Sequence, residues 1–194
     1  MDNVELKLTS SIPVSVNHYL KPRCFIKYVN NKAVPMVTMY ETSDAKKYKK
    51  QFKDYVIKEV KKQSWSLTLD KFQHFYFDCV FYFDRIDKDP NNYFKIMLDA
   101  ITDTQLIWVD DNIVCERVNR IYYDAENPRI DITIRPVEYV GIFDSVEQLH
   151  EFEGNCISCN RYKRNCSILN KAKEGRIQSE VVDFECSKFK AIKK

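Results

Sequence analysis

Phe75-Tyr76-Phe77-Asp78-Cys79-Val80-Phe81-Tyr82-Phe83, which runs through Asp84-Arg85-Ile86-Asp87 into Lys88-Asp89-Pro90-Asn91-Asn92-Tyr93-Phe94-Lys95-Ile96-Met97-Leu98-Asp99-Ala100, decides the fold. Phe75, Phe77, Cys79, Phe81 and Phe83 alternate with Tyr76, Asp78, Val80 and Tyr82. That period of two predicts a central strand with one aromatic face. Asp89 is a favoured N-cap and Pro90 suits a first helical turn, where the N–H it lacks would be unpaired anyway. Phe94, Met97, Leu98 and Ile101 then recur at the spacing of one buried helical stripe, while Asn91, Lys95 and Asp99 lie four apart on a polar face. A strand that hands the chain directly to a helix start predicts an α/β (α+β) architecture, with rigid elements meeting at an acidic corner.

Downstream, Leu106-Ile107-Trp108-Val109 leads to Asp110-Asp111, and Ile113 to Tyr123 reads as a strand. Ile130, Ile132 and Ile134 alternate as a further strand, expected to pair across the turn Asp124-Ala125-Glu126-Asn127-Pro128. Upstream, Val4, Leu6 and Leu8 alternate. Cys24–Val29 and Val34–Tyr40 predict a hairpin about Asn30-Asn31, with Pro35 at an edge or strand start. A helix capped by Thr42 or Ser43 reaches about Lys62, with Tyr48, Phe52, Tyr55, Val56 and Val60 on one face and mostly lysine on the other. The expectation is a mixed sheet with two main helices over 1–140, and a small basic, cysteine-rich module over 141–194 that starts with a capped helix near Asp144–Leu149.

A length of 194 residues with 44% hydrophobic content supports one good core and a small appendage. Three glycines and no low-complexity tract argue against extensive disorder. No apolar run approaches a membrane span, and Met1-Asp2-Asn3-Val4-Glu5 does not read as a signal peptide, so a soluble cytoplasmic protein is expected. The net charge of +3 hides a segregation: Lys and Arg outnumber Asp and Glu over 21–62 and 160–194, and the reverse holds over 84–112. An acidic centre between basic flanks suits chemistry on a polyanion, although solvated faces give the same pattern. His18, His74 and His150 form no ligand spacing, and neither a Gly-rich phosphate loop nor a nucleophile elbow is present, which sets aside P-loop chemistry.

The acidic stretch gathers Asp87, Asp89, Asp110 and Asp111 with Asn91 and Lys95, which is the composition of a divalent-cation site. Helix caps and an Asp-Asp turn would use the same residues.

The run Asp89-x-Asn91-Asn92-x-x-Lys95-x-x-x-Asp99-Ala100, followed by Trp108-x-Asp110-Asp111-x-x-Val114, resembles the signature of the RusA family of Holliday-junction resolvases; Pro13, Asn17 and Tyr19 resemble its amino-terminal strand and loop. The resemblance covers roughly residues 4 to 140. It implies a small homodimeric, Mg²⁺-dependent endodeoxyribonuclease, commonly phage or prophage encoded, that cuts four-way DNA junctions symmetrically in recombination and repair. It implies Asp89, Asn91, Lys95 and Asp111 as catalytic residues, and Asp89, Asn91 and Asp111 as Mg²⁺ ligands assisted by Asp110 and Asp87. Asn91 stands where the family pattern has a second aspartate. An amide can ligate through its carbonyl oxygen but brings no charge. The alternative is a weak or inactive accessory protein that binds branched DNA and carries a zinc module. A nuclease preferring flaps or forks would share the chemistry.

Cys156, Cys159, Cys166 and Cys186 lie in the last quarter of the chain, spaced as C-x₂-C-x₆-C-x₁₉-C. Such thiols predict a zinc site, with an iron–sulfur cluster, a redox pair or no metal at all as the other readings of the spacing. Cys24, Cys79 and Cys115 read as core residues. Arg161, Lys163, Arg164, Lys171, Lys173 and Arg176 make the module a candidate DNA contact, or else a cap on the core.

Overall fold

The computed structural model describes residues 5–65 and 72–192, so Val4 of the first expected strand lies outside the described residues. In chain order the elements are β1 (Leu6–Ser11), α1 (Val16–Tyr19), β2 (Leu20–Val29), β3 (Lys32–Glu41), α2 (Ser43–Lys62), β4 (Phe75–Phe83), α3 (Phe94–Thr102), β5 (Val114–Tyr123), β6 (Arg129–Pro136), α4 (Val146–Ile157), α5 (Ile168–Lys173), β7 (Val181–Val182) and β8 (Glu185–Cys186). The chain divides into two compact units, Met1–Leu69 with Phe75–Arg135, and Asp70–His74 with Pro136–Lys194.

The first unit is built on a four-stranded sheet of order β1-β6-β4-β5. β1 and β6 are antiparallel and β4 and β5 parallel, so the sheet is mixed and the α+β class is as expected. The aromatic face of β4 is buried throughout, and Phe77 and Phe81 meet Phe94 of α3 edge to face, with ring centroids 6.1 and 5.8 Å apart. On the opposite face Asp78 is also buried. Arg117 holds it with two bonds of 2.6 and 2.7 Å, and Arg135 lies 3.5 Å away. Both guanidinium groups lie over the Tyr76 ring, so the cations that pair the buried carboxylate also stack on a neighbouring aromatic face. On α2, Phe52, Val56 and Val60 are buried in the same core, and Thr42 caps the helix as predicted.

Sequence expectations fail at β6 and at the start of α3. β6 does not form a hairpin with β5; it lies between β1 and β4. The N–H of Asp124 bonds to the carbonyl of Phe83 at 2.7 Å, which turns the chain over the end of β4. The interior place buries Ile130, Ile132 and Ile134, whereas beyond β5 they would form an exposed edge. The helix expected from Pro90 is also interrupted. Pro90–Asn92 is a 3₁₀ turn, because the Asp89 carboxylate accepts the N–H of Asn91 at 3.0 Å and the Tyr93 ring is drawn in against Phe83. α3 starts only at Phe94.

β2 and β3 form a separate two-stranded sheet, longer than the sequence suggested, with Asn30 and Asn31 at φ 50° and 60° in a two-residue turn of the twist such hairpins favour. Almost every residue of it is exposed, including Cys24, which is therefore not a core residue. Pro35 is tolerated in mid-strand because each strand of a two-stranded sheet keeps a free edge.

The second unit has a small core of Phe143, Leu149, Phe152, Leu169 and Ala172. Ser145 caps α4 by accepting the N–H of Gln148 at 3.2 Å. Gly141, at φ 61°, lets the chain pass Ala172 so closely that any Cβ would strike its carbonyl oxygen.

Candidate active site

α3 presents Lys95 and Asp99 one turn apart, with Nζ and Oδ1 separated by 2.6 Å. The loop after α3 is fixed where Trp108 is buried and its Nε1 donates to Thr102 Oγ1 at 2.7 Å. The side-chain amide of Gln105 donates to the Val109 carbonyl at 3.0 Å. The chain then delivers Asp110 as the cap of a second 3₁₀ turn, Asp111–Ile113, from which Asp111 Oδ2 reaches within 3.9 Å of Lys95 Nζ. Glu116, near the start of β5, pairs in register with Phe77 of β4 and is close enough to feel the charge of Asp111.

Several carboxylates therefore surround one ammonium. Burial pushes the Asp111 carboxyl above its ordinary range, and Asp99 and Asp110 push it further against the pull of Lys95. Burial also raises Glu116, with Asp111 adding to it. The bond to Asp99 raises Lys95 and keeps it charged. Carboxylates whose ionisation is opposed by burial and by one another, beside one cation, form a site that gains from further positive charge.

Asp99 is gripped from its other side. Its Oδ2 lies 2.6 Å from the Tyr19 hydroxyl, which is also 2.8 Å from Glu41 Oε1. Lys49 completes the chain at 3.2 Å from Glu41 and 3.5 Å from Asp103. Burial opposes the charge on Glu41, but Tyr19 and Lys49 outweigh it and hold the carboxyl low. Tyr19 is pushed well above the phenol range, by burial first and then by the two carboxylates, so it stays a donor.

Of the residues singled out from sequence, Lys95, Asp110 and Asp111 come together. Asp87 is exposed and pairs with Arg85 at 3.2 Å. Asp89 and Asn91 are exposed on the turn that precedes α3, where Asp89 is occupied with the Asn91 N–H. Asp99, Glu116, Tyr19 and Glu41 were given no role by sequence reasoning. Asp99 stood within the motif, four residues from Lys95. Glu116 became visible only through the strand register, and the link from Tyr19 to Asp99 spans 80 positions.

Among the described residues no three His, Cys, Asp or Glu side chains are gathered tightly enough to hold a metal ion by themselves. The donor chemistry of the acidic cluster nevertheless suits a hard cation. Mg²⁺ takes one or two carboxylates and completes its shell with substrate phosphate oxygens and water, and Asp110 and Asp111 are adjacent carboxylates with charge to be neutralised.

The family model described as Endodeoxyribonuclease RusA matches residues 21–135, a span that runs from β2 through β6 and includes every carboxylate of this cluster. The chain belongs to the RusA endodeoxyribonuclease family. RusA nucleases act on branched DNA junctions and are generally divalent-metal dependent. No curated protein matches the chain. Among the described residues no helix is long and apolar enough to cross a membrane.

Of the basic residues of the second unit, Lys163, Arg164 and Lys171 are exposed, while Lys173 is paired with Glu153 at 2.8 Å and Arg176 with Glu174 at 2.9 Å.

Proposed function

We propose that this RusA-family chain is a Mg²⁺-dependent endodeoxyribonuclease that resolves four-way DNA junctions by paired, symmetric phosphodiester cleavage as a homodimer. The observation that carries the reading is the contact of Lys95 with Asp99 and Asp111 at a corner of α3 and β5, inside the span that matches the family.

Asp111 and Asp110 would hold the cation, with Asp89 and Asn91 supplying oxygens from the turn before α3. When bound, the ion lowers the pKa of a coordinated water and neutralises charge on the scissile phosphate. Lys95, with 59% of its side chain exposed, is free to donate to a phosphate oxygen as charge builds there. Asp99 keeps Lys95 protonated and orients it, and Tyr19 positions Asp99.

The hairpin supports the homodimer. In the β2–β3 register Pro22, Cys24, Ile26 and Tyr28 share one face with Ala33, Pro35, Val37 and Met39, while Lys21, Arg23, Lys27 and Lys32 lie on the other. Ile26, Tyr28, Val37 and Met39 are each more than half exposed, a contiguous apolar surface of the kind that a second copy covers. The opposite face offers four cations, with Phe25 and Tyr40 among them, to a phosphate backbone. Exposed Lys163, Arg164 and Lys171, with Arg161, would add to that affinity.

The test is to incubate the protein with a labelled four-way junction and with a linear duplex of matched sequence, each in Mg²⁺ and in EDTA. Paired nicks at symmetry-related positions of the junction, abolished by EDTA, are expected. Saturating junction binding without cleavage would replace this reading with that of a non-cutting accessory protein, and equal cleavage of the duplex would overturn junction specificity.

A further inference from the structure

The thiols of the second unit have no part in the acidic cluster, yet the fold brings them together. Cys156 lies in the last turn of α4, Cys159 follows the helix in a tight turn, Cys166 precedes α5 and Cys186 lies on β8. All four line one cavity of about 20 Å³, the room of about one water molecule, and Arg161 and Lys188 line it with them. None is in a disulfide.

The backbone around Cys159 is arranged for a sulfur that carries charge. Its Sγ accepts the N–H of Lys190 at 3.5 Å, and this amide, with the nearby main-chain amides of Arg161 and Tyr162, holds the thiol below its ordinary range. Main-chain bonds hold the strands of this knot, from Asn160 N–H to the Lys190 carbonyl at 2.8 Å and from Ile192 N–H to the Ser158 carbonyl at 3.0 Å. Segments 158–162 and 190–192 are thus fixed to each other beside the cavity.

The unit needs such a staple. Among the described residues its fully buried cluster has five members with a few half-buried neighbours, a small core for hydrophobic burial alone to stabilise. Four sulfur donors select a borderline-soft ion of tetrahedral preference over Mg²⁺ or Ca²⁺, and Arg161 and Lys188 offset the negative charge of four thiolates around a divalent cation. Neutral thiols do not attract one another, and among the described residues no three yet stand at ligand distance. An ion entering the cavity would draw them in as it displaces their protons.

We propose that Cys156, Cys159, Cys166 and Cys186 form a structural four-thiolate Zn²⁺ site that holds the second unit together, independently of the nuclease chemistry.

The experiment uses the full chain, purified under reducing conditions after growth with zinc. One zinc per chain by elemental analysis is expected, released in proportion to a thiol-blocking mercurial. Replacing it with Co²⁺ should give the intense sulfur-to-cobalt absorption and visible bands of a tetrahedral thiolate centre. Cys186→Ser should lose the metal and the cobalt spectrum, whereas Cys115→Ser should keep both. If Cys186→Ser does not fold, the cobalt spectrum of the unmodified protein still decides. A metal-free protein that gives no such spectrum would overturn the proposal, as would a Cys186→Ser variant with full zinc or a disulfide among these four residues. None of these readouts depends on DNA cleavage.

Discussion

Asp111→Asn separates function from stability at the acidic cluster. Asp111 gains from Lys95 at 3.9 Å and loses from Asp99 and Asp110. In an effective dielectric of about 20, one pair at this distance interacts by ~4 kcal/mol. Because 59% of the Lys95 side chain is exposed, its net pull is nearer ~0.5 kcal/mol. Burial and the neighbouring carboxylates outweigh that pull, since the carboxyl is raised. A raised acid binds its proton more tightly in the folded than in the unfolded chain. Its contribution to stability is therefore fully present below the unfolded pKa and is lost as pH rises through the folded value. At neutral pH the ionised Asp111 is a cost, and the neutral amide should remove it. Without metal the variant should melt no lower than the parent and up to about 3 °C higher, for ~1 kcal/mol in a chain of this size. Junction cleavage in Mg²⁺ should fall by about 10²–10³-fold or more, the scale of losing one electrostatic stabiliser of the transition state. Thermal melts in EDTA at pH 7 and single-turnover cleavage at saturating protein read the two effects. A melt lowered by several degrees would refute this balance of charge and burial, and cleavage at the parent rate would refute the assignment of Asp111.

Three further changes probe the rest of the unit. Asn91→Asp adds a second carboxylate, beside Asp89, to the turn before α3 and should lower the Mg²⁺ concentration needed for half-maximal cleavage; a metal titration checks this, and an unchanged midpoint would place Asn91 outside the site. Tyr19→Phe leaves Asp99 and Glu41 without their shared hydroxyl and should cost ~1–2 kcal/mol in a denaturant melt. As a positioning change it should lower kcat by about tenfold, or ~1.4 kcal/mol, and leave junction affinity intact, which binding and single-turnover assays separate. Asp78→Ala strips the buried partner from Arg117 and Arg135 and should destabilise the fold by ~3 kcal/mol, read as a large drop in midpoint denaturant concentration.

Much of this architecture could be read from periodicity. The alternation from Phe75 to Phe83, the apolar stripe of α2 and the Thr42 cap concern neighbours one to four residues apart, where backbone geometry fixes which side chains share a face. The motif from Asp89 to Asp111 likewise indicated the family and placed Lys95 beside Asp99. Other features were decided across the sheet. The insertion of β6 between β1 and β4 depends on which neighbours bury its isoleucines, and Tyr93 broke the expected helix because its ring found Phe83. Glu116 joined the acidic cluster through the parallel register of β4 and β5, and Tyr19 reached Asp99 from another part of the chain. Local periodicity determines the elements and the chemical types they carry. Long-range packing decides which charges meet, because burial and repulsion depend on distances in space that the spacing of residues along the chain does not fix.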